Sequence, residues 1–169
     1  AAPAEQENSD ITASNNGCFV VWQDRRGGDM DIFGCRVSAT GEVLDKMAIG
    51  ICTAAGDQTD PAVAWNGSYY LVVWMDRSTP SAHIYCARVL ANGEVLDRQA
   101  ICLSGTNGRQ GYPDVASDGG GFLVVWQHAL TGLWDIQGCK VNGDGSISRV
   151  YSMTNAAGDE EQPVLAWNG

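Results

Sequence analysis

Helical periodicity is absent from this chain. No window of its 169 residues spaces apolar side chains at i, i+3, i+4 and i+7 over a helical length, which excludes a fold built on amphipathic helices. Positive charge is scarce too: 10 Lys and Arg face 20 Asp and Glu, a formal net charge of −10. A nucleic-acid surface needs clustered Lys and Arg, and an anionic membrane face attracts the same residues, so both partner classes are disfavoured. No apolar run approaches the ~18 residues that a membrane-spanning helix requires. Histidine occurs only as His83 and His128, no two cysteines stand as Cys-x-x-Cys, and no Gly-x-Ser-x-Gly elbow is present. The length nevertheless suffices to bury one good core.

The chain is rich in a repeated phrase. Trp22, Trp74 and Trp126 stand 52 residues apart and close the runs Cys-Phe-Val-Val-Trp, Tyr-Leu-Val-Val-Trp and Phe-Leu-Val-Val-Trp. The next apolar run of each copy recurs in register: Ile32-Phe33-Gly34-Cys35-Arg36-Val37 answers to Ile84-Tyr85-Cys86-Ala87-Arg88-Val89 and Ile136-Gln137-Gly138-Cys139-Lys140-Val141. Gly41-Glu42-Val43-Leu44-Asp45 answers to Gly93-Glu94-Val95-Leu96-Asp97, whereas the third copy departs, with Ser148-Arg149 for Leu-Asp and His128 for the Asp after Trp. Such a period means one supersecondary unit copied in tandem. Each copy holds four short β-type runs, and Asn66-Gly67 and Asn92-Gly93 are the dipeptides of type I′ hairpins.

Four antiparallel strands per copy predict an all-β chain of β-propeller blades: three blades of about 52 residues (about 4–53, 54–105 and 106–155) plus a first strand of a fourth at 162–169. A β-helix is the competing reading, but its coils are shorter and lack two hairpin turns per repeat. The Ala-rich first run fits the innermost position, and the three Trp fit the faces between blades. The repeat resembles tandem propeller repeats of secreted and cell-surface bacterial and archaeal proteins, through phrases such as Pro61-Ala62-Val63-Ala64-Trp65-Asn66-Gly67 and Tyr70-Leu71-Val72-Val73-Trp74. The resemblance covers nearly the whole chain. It implies the fold and an extracellular or cell-surface location, and brings no catalytic residues with it. Ala1-Ala2-Pro3-Ala4 reads like the start of a mature exported chain.

Six cysteines agree with an oxidising compartment. Neighbouring third and fourth strands would bring Cys35 to Cys52 and Cys86 to Cys102 as two intrablade disulfides. Cys18 and Cys139 remain, either packed as small apolar thiols or meeting across a junction between subunits. Three blades cannot close a ring, which typically needs at least ~4. The strand at 162–169, with Val164, Leu165 and Trp167, therefore reads as one of two things: a stub of a longer propeller, or a strand donated to the first blade of another copy.

Candidate chemistry is thin. His83 and His128 fall in columns otherwise held by Asp and read as polar caps of strand ends. Asp24 and Asp76 read as ion-pair partners of Arg36 and Arg88 across adjacent strands. Asp24, Asp29 and Asp31 in one loop are the calcium candidates, with Asn142-Gly143-Asp144-Gly145-Ser146 slightly similar to a calcium loop, and neither stretch supplies the six to eight oxygens calcium takes. Gly27-Gly28 and Gly119-Gly120-Gly121 lack the Gly-Lys-Ser/Thr ending of a phosphate loop. Asn66-Gly67-Ser68 is a formal glycosylation sequon, for which the hairpin reading suffices. The expectation is a non-enzymatic, self-associating structural or adhesive module with no cofactor. The alternatives are a lectin-like propeller with sugars stacked between blades on Trp134, Tyr112 or Tyr151, or a fragment of a longer propeller.

Overall fold

The computed structural model describes residues 5–105, 108–130 and 132–168; the Ala1-Ala2-Pro3-Ala4 segment and Gly169 lie outside the described residues. Twelve strands form three four-stranded antiparallel sheets. Blade 1 holds β1 (Gln6–Ser14), β2 (Gly17–Asp24), β3 (Asp31–Ser38) and β4 (Ile49–Cys52). Blade 2 holds β5 (Gln58–Trp65), β6 (Tyr69–Asp76), β7 (His83–Leu90) and β8 (Ile101–Cys102). Blade 3 holds β9 (Arg109–Ser117), β10 (Phe122–Ala129), β11 (Asp135–Val141) and β12 (Tyr151–Ser152). Strands keep chain order within each blade, and the inner strands β1, β5 and β9 lie side by side, as the small residues of β5 require.

Each inner strand carries a bulge at a residue of positive φ: Asn8, Asp60 and Tyr112. The pairs Gln6↔Asp24 and Gln58↔Asp76 make β1 and β5 equivalent at an offset of 52 residues. Their hairpins close alike, at Ala13↔Cys18 and Trp65↔Tyr70, so Asn16-Gly17 and Asn66-Gly67 do not occupy equivalent places. The turn at Asn66-Gly67 also differs from type I′. Gly67 takes positive φ (94°), whereas Asn66 stays outside the left-handed region and accepts the N–H groups of Ser68 and Tyr69 on Oδ1 at 3.0 Å. Asn66 is 6% exposed, and this turn role replaces the sequon reading.

The core lies between blades, not within them. Phe19, Val21, Ile32 and Ile51 of blade 1 meet Val63, Tyr70, Val72, Trp74 and Val89 of blade 2. Leu71, Val73, Ile84 and Cys86 on the opposite face of blade 2 meet Val115, Val124, Trp126 and Cys139 of blade 3. Trp74 and Trp126 are fully buried as expected. Trp22 is half-buried, because it faces the side of blade 1 that no blade covers.

Two expected pairings are corrected. Asp24 lies opposite Asp31, Asp76 opposite His83, Arg36 opposite Phe19 and Arg88 opposite Leu71, so the register keeps the expected ion pairs apart. Arg36 and Arg88 turn instead to Asp45 and Asp97. The Gly-Glu-Val-Leu-Asp loop curls back onto β3 or β7 through the Val37↔Val43 and Val89↔Val95 bridges. Asp97 then accepts Arg88 N at 2.9 Å, Nε at 2.8 Å and Nη2 at 2.8 Å. In blade 3 the hydroxyl of Ser148 accepts Lys140 N at 2.9 Å in place of a carboxylate.

The six cysteines are free thiols. Cys86 is paired with Ile101 and Cys102 with Tyr85; neighbours in a strand point to opposite faces, so Cys86 enters the core and Cys102 faces out. Cys52 is paired with Ile32, while the Cys35 thiol donates to the carbonyls of Arg36 and Asp45. Cys139 is 0% exposed in the core between blades 2 and 3, where burial pushes its thiol up to about 12, so a link to another subunit through Cys18 is replaced by the packed-thiol reading.

Candidate binding cleft beside the propeller axis

Two neighbouring depressions mark the end of the molecule where the bulges converge. The first, about 370 Å³, lies on the axis and is lined by Asn8, Asp10, Asp60, Tyr112, Asp114 and Gln162, among others. Its carboxylates already have partners. Asp10 Oδ2 accepts Val63 N at 2.8 Å, and Asn8 Nδ2 donates to Asp60 Oδ1 at 2.9 Å. Asp114 Oδ2 accepts Leu165 N at 2.5 Å. Burial raises the Asp114 carboxyl above its ordinary range, against the two backbone N–H groups that lower it, and the Asp10 charge adds to the rise.

These bonds also place the C-terminal segment. Gln162 N donates to Gln127 Oε1 at 3.0 Å, as Asp60 N donates to Gln23 Oε1 at 2.9 Å. Gln162 has φ 51°, like the three bulge residues before it. Residues 162–168 therefore sit against their own third blade at the place of a further inner strand, with Val164 85% and Trp167 61% exposed. In the single chain the segment thus keeps to its own blade, where the donation reading has it pair with the first blade of another copy.

The second depression, about 350 Å³, opens between blades 2 and 3 and shares Tyr112 with the first. Arg77 and Ala82 line it from blade 2, and Arg109, Tyr112, Gln127 and Trp134 from blade 3. Trp134 is held by its backbone: its N–H donates to Asp159 Oδ1 at 2.8 Å and its carbonyl accepts Glu160 N at 2.8 Å. Blade 1 repeats this latch at Met30, whose N–H donates to Asp57 Oδ1 at 2.9 Å and whose carbonyl accepts Gln58 N at 2.7 Å. Blades 1 and 3 share the latch, but the indole belongs to blade 3 alone. Ala82, the counterpart in blade 2, leaves the space that the indole overlooks. The Arg109 guanidinium lies 4.7 Å from the Trp134 ring centroid. Tyr112 is 47% exposed with φ 49°, a bulky side chain in the left-handed region.

Of the three aromatic candidates, the structure brings Trp134 and Tyr112 to one cleft and leaves Tyr151 on β12, where Arg149 stands 5.0 Å from its ring centroid. Arg77, Arg109 and Gln127 were missed. A signal existed for Arg109, which is equivalent to the acidic Asp57 in the repeat and reverses its charge. The calcium candidates do not assemble. Asp24 binds Arg26 and the Trp22 indole N–H, Asp29 accepts Gly56 N at 3.0 Å, and burial raises the Asp31 carboxyl. Among the described residues no group of three His, Cys, Asp or Glu converges for a metal. His83 and His128 stand at strand ends opposite Asp76 and Asp135.

No protein-family model and no curated protein sequence matches this chain. Solved structures do. A subtype N10 neuraminidase-like protein of A/little yellow-shouldered bat/Guatemala/060/2010 superposes with a TM-score of 0.66 at 10% identity, over 96% of this chain and 48% of its own. A thermostable family-43 glycoside hydrolase superposes at 0.63 and 8% identity, over 89% of this chain and 55% of its own. The chain thus spans about half the length of these structures, and at such identity the likeness shows the fold alone. It corrects the expectation of a non-enzymatic scaffold, which rested on missing motifs, since a glycoside hydrolase is built on this same fold. The chain is a three-bladed stretch of β-propeller of the kind found in neuraminidase-like and glycoside hydrolase structures.

Proposed function

We propose that this propeller module binds carbohydrate, with the sugar in the cleft between blades 2 and 3 next to the axis. The observation that carries the reading is the meeting of Trp134 and Tyr112 in one cleft with Gln127 and two arginines. Aromatic faces cover the C–H faces of a pyranose while amide and guanidinium groups take its hydroxyls, the combination a small-molecule site requires. Of the structural relatives, one is a glycoside hydrolase and one is neuraminidase-like, which points the same way. Trp134→Ala is expected to weaken binding of any glycan found on an array at least about tenfold, equivalent to about 1.4 kcal/mol. Tyr151→Ala, outside the cleft, should leave it unchanged. An array without hits, or a hit indifferent to Trp134, defeats the reading.

A second reading, self-association through open blade faces, is supported by Trp22. Its counterparts Trp74 and Trp126 are 0% exposed, and only a surface supplied from outside the described chain would bury Trp22 equally. With residues 162–168 already at an inner-strand position, head-to-tail contact requires exchange of that segment with β1. Mass measured over a range of concentrations should show oligomers that Trp22→Glu converts to monomers; an unaltered chain that stays monomeric throughout removes this reading.

A further inference from the structure

We infer that the ligand of the cleft is a uronate-bearing oligosaccharide, whose carboxylate is held between Arg77 and Arg109 beside the ring faces of Trp134 and Tyr112. The inference rests on the carbohydrate reading above and adds the charge of the ligand. Arg25, Arg26, Arg36 and Arg88 each pair with a carboxylate of the chain. Among the described residues, Arg77, Arg98, Arg109 and Arg149 have no such partner, and of these four Arg77 and Arg109 line the cleft. No Asp or Glu lines it, although the chain carries 20 acidic residues and a net charge of −10. Two uncompensated guanidinium groups in a wall free of carboxylates, on a molecule otherwise acidic, select an anion.

The geometry narrows the anion further. Arg109 Cζ stands 4.7 Å from the Trp134 ring centroid, which places the guanidinium and its N–H donors beside the aromatic platform. A planar carboxylate matches a guanidinium edge with two parallel hydrogen bonds. The Arg77 backbone is tied to the rim by its N–H to the carbonyl of Asp57 at 2.8 Å, which fixes where the second guanidinium starts. The Trp134 backbone is latched at both its N–H and its carbonyl, so the aromatic platform keeps its position relative to both cations.

The test uses the intact chain and oligosaccharides of galacturonate, glucuronate and mannuronate, each with its methyl ester as a neutral isostere, read by calorimetry or ligand-observed NMR. The acid form of at least one should bind about tenfold or more tighter than its ester, a preference that 0.5 M salt reduces. Arg77→Gln and Arg109→Gln should each weaken binding of the acid much more than binding of the ester, so that most of the preference is lost. Equal binding of acid and ester, or binding of neutral glycans alone, overturns the uronate inference and leaves the carbohydrate reading standing. A preference that survives both substitutions overturns the site. Binding of no glycan, charged or neutral, ends both readings.

Discussion

Replacing Trp74 with Ala is expected to lower the unfolding free energy by about 3–5 kcal/mol, the range for truncating a fully buried aromatic. Trp74 is 0% exposed in the cluster joining blades 1 and 2, so its removal opens a cavity at the junction on which both blades depend. The same change at Trp22 should cost about 1 kcal/mol, because one face of that indole already meets solvent. Trp74→Phe should be much milder than Trp74→Ala. Among the described residues the buried Trp74 indole N–H has no partner, and Phe removes that unsatisfied donor while keeping most of the packing. Urea unfolding of the three variants decides it. Equal losses at positions 22 and 74 would mean that the blade faces do not differ in cover as described.

Asp97→Ala is expected to cost about 2–3 kcal/mol, since it strips three donors at once: the Arg88 backbone N–H and two guanidinium nitrogens. The pair is largely enclosed, with 11% of the Asp97 and 25% of the Arg88 side-chain surface exposed. Asp97→Asn should fall between, because its amide oxygen still accepts the backbone N–H. The effect is pH-dependent with a definite sign. The Arg88 guanidinium holds the Asp97 carboxyl below the usual carboxylate range. A group whose pKa is lowered by folding stabilises above its unfolded value, near 3.9, and loses that contribution as pH falls through its folded value. The stability gap between the unaltered chain and Asp97→Asn should therefore be full at pH 7 and close below about pH 4. A gap constant down to pH 2 would show that the charge is not what Asp97 contributes.

The same residues show how much of the molecule is legible in the sequence. The 52-residue period carries the strands, their order and the interblade place of Trp74 and Trp126, because side-chain alternation and turn residues act over a few positions and are copied with the repeat. Partner choice is less legible. Arg36 and Arg88 could be assigned to either of two recurring Asp columns, and only the register, with the loop curling back through the Val37↔Val43 and Val89↔Val95 bridges, selects Asp45 and Asp97. The cysteines failed for a related reason: Cys86 and Cys102 lie on neighbouring strands, but an offset of one position turns their side chains to opposite faces. Short motifs also have no purchase on a site assembled from separated strands, so the missing enzyme signatures were over-read.

The candidate cleft divides in the same way. Trp134, Tyr112 and Tyr151 stand out as aromatic residues outside the repeated core, but which of them share a site depends on how blade 2 meets blade 3. Arg77 and Trp134 are far apart in sequence and line one cleft because the inner strands β5 and β9 pack side by side and bring the ends of blades 2 and 3 together. The sequence by itself determined the all-β class, the blade period and the buried Trp faces, since these arise from local periodicity and from apolar area that must leave water. Tertiary structure alone decided the ion-pair partners, the free state of the thiols, the seat of residues 162–168 and the cleft. Each of these depends on register and on the angle between blades, quantities set by packing over the whole molecule and carried by no short run of residues.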